Sequence, residues 1–180
     1  MKNLVARNWV RIAIVILLIA FGVWSRFAPH PANFTALTAV ALFGGAMLPR
    51  YYGLLVPVGA MVVSDIFIGM HSLSAVVWVS FALVALLGKL LSKRLGVRNV
   101  VVASVVASTI FFIVTNFAVW VEGRLYAHTF VDLVQCYINA LPFYRTMLVG
   151  DLLYSGMIFG VYAVVVRSVS LLPRQAFLHN

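Results

Sequence analysis

The sequence predicts an all-α fold: an integral membrane bundle of six transmembrane helices with both termini cytoplasmic. Three observations carry that expectation. The 180 residues are 64% hydrophobic and 9% charged, against about 25% charged in a soluble domain, and the mean hydropathy is +1.07. Six apolar segments nearly fill the chain, each close to the length that crosses a hydrocarbon core. The Lys and Arg residues gather on alternate connections, which gives the bundle a direction. One transmembrane domain over residues 1–180 is expected, with no room for a soluble one.

Lys2, Arg7 and Arg11 precede the apolar run that ends at Trp24-Ser25-Arg26-Phe27. No small-x-small cleavage site follows, so the run reads as a retained first helix over residues 8–27. In APHPANFT, residues 28–35, two prolines flank His30. Proline cannot continue a helix, so this is a loop, and Asn33 or Thr35 is placed to cap the second helix. That helix spans residues 34–48. It is rich in small residues, and Ala41 and Gly45 form a small-xxx-small pair that lets backbones approach closely.

The third helix spans residues 52–70, with Pro57 inside it and Gly69 at its end. The fourth spans 73–91 and leads into a basic turn with Lys89, Lys93, Arg94 and Arg98. The fifth spans 98–121 and carries Asn116 deep in an apolar run. Residues 122–142 read as an interfacial segment, with a short helix over 132–142 that stops at Pro142. The last spanning helix covers 143–167 and contains Asp151.

With the N-terminus inside, the inner connections hold 10 of the 13 Lys and Arg; Arg26, Arg124 and Arg145 lie outside. This is the positive-inside pattern, which supports the span count and the orientation; the expected location is a bacterial inner membrane. A net charge of +9 therefore reads as topology, and no nucleic-acid partner is expected. Trp24, Trp78 and Trp120 then fall near outer helix ends, where interfacial aromatics concentrate.

The same topology puts all four acidic residues, Asp65, Glu122, Asp132 and Asp151, on the outer side. At about 1.5 Å per residue, Asp65, Asn116 and Asp151 lie roughly 7–10 Å below the outer helix ends. Carboxylates at such depth are expensive unless paired, hydrogen-bonded or wet, so they mark functional positions by default. The structural alternative is a hydrogen bond within the bundle, for Asp65 to Thr115 or Asn116. A pair of Asp65 with Asp151, or of either with Arg145, is a further alternative. The inner half carries cationic ends and apolar or small residues. The expectation is a polar pocket that opens outward and closes toward the cytoplasm, unlike a pore with polar lining along its full length.

The candidate substrate-binding residues are Asp65, Asn116 and Asp151, with His30 and Asn33 from the covering loop, Trp120 and Asn139. VVSDIFIGM (62–70) echoes LVGDLLYSGM (148–157), each with a small residue before the Asp. No HExxH, CxxC or glycine-rich phosphate loop is present. Cys136 stands alone, so no internal disulfide forms. No enzyme activity, cofactor or metal is expected; the partners are a small-molecule solute and the lipid bilayer.

The motifs PHPANFTALTAVALFGGA, VVSDIFIGMH, FFIVTNFAVW and CYINALPFYRTMLVGDLLYSG recur in this order. As a set over residues 28–160 they resemble an uncharacterised bacterial family of small membrane proteins described as transport proteins. That family is similar to the substrate-binding S components of energy-coupling-factor (ECF) transporters. The resemblance implies a six-helix bundle that captures a vitamin-like solute or metal near its outer face. It also implies docking on a T subunit with two ATPase subunits. The first helix departs from that pattern: it has Ala13 and Ala20 but no Ala-xxx-Ala pair, and the nearest small pairs are Ala32/Ala36 and Ala41/Gly45. The other readings are a self-contained proton-coupled carrier, a small membrane enzyme acting on lipid, and an accessory membrane protein.

Overall fold

The computed structural model describes the backbone of residues 2–171 and the side chains of residues 8–168. The expected inner cation Arg174 and the side chains of Lys2 and Arg7 lie outside the described residues. Six helices follow in order: α1 (Lys2–Phe27), α2 (Leu37–Met47), α3 (Arg50–Ile68), α4 (Ser74–Leu91), α5 (Val97–Glu122) and α6 (Phe130–Leu171). No strand occurs among the described residues. All of these helices except α2 are long and apolar enough to cross a membrane, as expected of a multi-pass membrane protein.

The second helix differs from the expectation of a span. Its 11 residues reach about 16 Å, roughly half a hydrocarbon core. Instead of crossing, it is buried on all sides: every residue from Leu37 to Ala46 is enclosed. Small residues make this possible. A Cβ on Gly45 would stand 1.9 Å from the Ala85 carbonyl oxygen of α4, and one on Gly88 2.3 Å from the Leu42 carbonyl oxygen of α2. The two helices therefore meet backbone to backbone, as the Ala41/Gly45 spacing predicts. Neither Asn33 nor Thr35 caps α2. Its N-cap is Ala36, whose N–H donates to Ser25 Oγ of α1 at 3.0 Å. A neighbouring helix supplies the oxygen that a local cap would have supplied.

The sixth helix is the other correction. The expected interfacial segment, residues 122–142, and the expected span, 143–167, do not divide at Pro142. The helix is continuous for 42 residues, about 63 Å, and so runs well past any one bilayer. It starts at a Thr129 side-chain cap. Thr129 Oγ1 donates to Asp132 at 2.6 Å and accepts the Asp132 N–H at 3.1 Å. Through the proline, α5 holds it in place: Tyr137 donates to the Ile113 carbonyl at 2.8 Å and packs on Phe112. Tertiary contacts outweigh the one backbone bond that Pro142 removes.

Arg26, His71 and Thr115 line one cavity, so the α1–α2, α3–α4 and α5–α6 connections share an end, here the pocket end. The opposite, basic end carries Arg50, Lys89, Lys93, Arg94 and Arg98. Between them Leu42, Phe43, Phe81, Val84 and Phe159 fill the middle of the bundle.

Candidate functional site

Two spaces compete for the role of a binding site. One, of about 550 Å³, lies between α5 and α6 toward the basic end. Its walls are mainly apolar, with Val100, Phe159, Gly156 and Gly160. Ser155 Oγ is buried there without a hydrogen-bond partner. The other, of about 400 Å³, opens at the pocket end. Its lining mixes aromatic and apolar residues (Leu37, Met61, Phe81, Phe111) with Arg26, His30, Asn33, Thr38, His71 and Asp151. Few polar groups converging in an apolar cleft are the mark of a small-molecule site, so the pocket-end cavity is the candidate.

Its side chains come from elements with short reasons for being there. The loop after α1 turns at Asn33, the one described non-glycine residue with positive φ, at 62°. Asn tolerates that left-handed backbone where most residues do not. The Phe34 N–H donates to the Pro31 carbonyl at 3.1 Å and closes the turn. His30 Nδ1 lies 2.7 Å from the same Pro31 carbonyl oxygen. His71 follows Gly69, whose φ of 103° ends α3. Both histidines and Asn33 line the cavity.

Asp65 is 1% exposed. It forms an ion pair with Arg26 of α1, and its second oxygen accepts the Trp78 indole N–H at 2.7 Å. Arg26 also donates to Ser64 Oγ at 2.6 Å. Neither Thr115 nor Asn116 meets Asp65: Thr115 Oγ1 donates to the Phe111 carbonyl and Asn116 to the Phe112 carbonyl, both within α5. Arg145 is exposed on α6 and pairs with neither Asp65 nor Asp151. Trp78, expected as an interfacial anchor, is a hydrogen-bond donor to a buried carboxylate. The missed residue is Arg26. Its signal was present, a lone cation at the C-terminal end of an apolar helix, level with the Asp65 end of α3.

Asp151 is also 1% exposed. Ser108 Oγ of α5 donates to it at 2.6 Å, and Thr38 of α2 lines the same wall. Among the described residues no Lys, Arg or His forms an ion pair with it. Gly150, just before it, is needed for packing, since a Cβ there would come within 3.0 Å of the Phe34 ring.

The structure brings His30, Asn33 and Asp151 into one cavity, with Asp65 behind Arg26 at its wall. Asn116 faces a smaller space of about 90 Å³, shared with Asn33, Thr115 and Met147. Trp120 and Asn139 lie elsewhere. The Trp120 indole donates to the Ala127 carbonyl at 3.0 Å and packs on Phe117 and His128. Asn139 donates to the Tyr126 hydroxyl at 3.1 Å and accepts from Gln135. Both belong to the packing of the α5–α6 connection. The described residues hold no group of three or more His, Cys, Asp or Glu that could bind a metal ion.

No curated protein and no solved structure matches this chain. A family model does match, over residues 6–174, which is nearly the full length. The chain is therefore a member of a family of unknown function, DUF6580.

Proposed function

We propose that this protein is the solute-capturing subunit of a transporter in the bacterial inner membrane, binding a small micronutrient at the pocket end. The observation that carries the reading is a one-ended cavity. About 400 Å³ of mixed polar and apolar space opens at one end of the bundle, and packed Leu42, Phe43 and Val84 lie beneath it. Arg50, Lys89, Lys93, Arg94 and Arg98 at the other end support an outward-facing cavity. A site with one opening captures; passage needs a rearrangement of the bundle, and that needs an energy source. The resemblance to ECF S components supplies the natural one, a T subunit with two ATPase subunits.

Native mass spectrometry of the protein extracted from its own host in mild detergent tests this. The expected result is a complex with T and ATPase subunits, or a retained small molecule. A bare chain without either overturns the subunit reading. Asp151, a buried carboxylate on the cavity wall with no cationic partner among the described residues, favours one second reading, a self-contained proton-coupled carrier. Uptake that stops when the proton gradient is collapsed, with no ATPase present, would establish that reading instead.

A further inference from the structure

Among the Asp, Lys and Arg side chains at the cavity, the charges do not cancel. Arg26 and Asp65 neutralise one another across the wall. Asp151 remains, 1% exposed, held by the hydroxyls of Ser108 and Thr38 and without a cation among the described residues. The rings of Phe81 and Phe111, tilted against each other at 4.8 Å, line the same cavity. A carboxylate in an apolar pocket is costly without a positive partner. Aromatic faces attract cations as well. Both features favour the same kind of guest.

We propose that the cavity takes a small organic monocation, a protonated amine or cationic ring nitrogen, with its positive nitrogen on Asp151 and its apolar body along Phe81 and Phe111. This rests on the capture reading above and names the ligand class for that site. The same carboxylate disfavours an anionic solute. Arg26 is already engaged by Asp65 and Ser64, so it does not convert the pocket into an anion site.

The test uses the full-length protein in lipid nanodiscs, with Thr115→Cys in a Cys136→Ala background. Thr115 lines the cavity, and its hydroxyl bonds only within α5, so the change is mild. The new thiol is labelled with two methanethiosulfonates, one carrying trimethylammonium and one sulfonate. Each rate is divided by the rate with a free thiol. The corrected rate is expected to favour the cation on the order of tenfold, and Asp151→Asn should remove that preference. Benzylammonium should protect the thiol where benzoate and benzyl alcohol do not. Equal corrected rates, a preference for sulfonate, or protection by benzoate would overturn the cation assignment and leave the capture reading standing. A thiol that neither reagent reaches would remove both, since the cavity would not be open.

Discussion

Asp65 and Asp151 make an instructive pair. Each follows a small residue in similar stretches of sequence, each is 1% exposed, and each sits near the pocket end. Their surroundings differ. Asp65 draws its partners from α1 and α4, an ion pair with Arg26 and an indole from Trp78. Asp151 has hydroxyls from Ser108 of α5 and Thr38 of α2 and lines the cavity. A fully paired buried carboxylate pins helices together; one left facing a cavity remains available to a ligand. Similar local sequence thus yields a structural clamp in one place and candidate chemistry in the other. Burial alone does not separate the two, whereas the count of charged partners does.

The largest expected effect breaks the clamp. Arg26→Ala leaves Asp65 buried and unpaired and should destabilise by about 3–5 kcal/mol, read as a lower midpoint of denaturant unfolding in detergent. Adding Asp65→Asn should recover much of the loss. A single variant no less stable than wild type would mean that the pair is not a clamp. Trp78→Phe removes one donor from the same carboxylate and should cost about 1–3 kcal/mol. Gly45→Ala pushes a Cβ against the Ala85 carbonyl and should cost a similar 1–3 kcal/mol through strain.

Asp151→Asn sharpens the contrast from the other side. It keeps the shape and an oxygen for Ser108, so stability should move by less than about 1 kcal/mol, while binding of a cationic ligand is lost. A large unfolding effect without a binding effect would make Asp151 a second clamp. The smallest change is expected for Asn116→Ala. Its amide bonds within its own helix beside a minor space, so a loss below about 1 kcal/mol and unchanged binding should result.

Hydropathy made the membrane class, the long helices and their approximate limits legible, because an apolar run that must satisfy its own backbone in lipid has one solution, a helix. The Ala41/Gly45 spacing also foretold a close backbone approach. Two boundaries differ from the sequence expectation for physical reasons. At Pro142 the local cost of a lost hydrogen bond suggests a stop, yet the contacts with α5 carry the helix through. At α2, apolar character suggests a span, whereas the helix is too short and is enclosed by its neighbours.

The site was legible in kind but not in membership. Composition determined that a few polar residues had to lie at one end of an apolar bundle, and residue type and depth nominated Asp65 and Asp151. Only tertiary structure decided that Arg26 reaches Asp65 across 39 positions. It likewise assigned Trp78 to that carboxylate, gave Ser108 to Asp151, and left Trp120 and Asn139 in the packing of the α5–α6 connection. Helical periodicity says which residues share a face of one helix. Which faces meet across the bundle depends on how the helices pack, and α2, buried by its glycines against α4, sets much of that packing here.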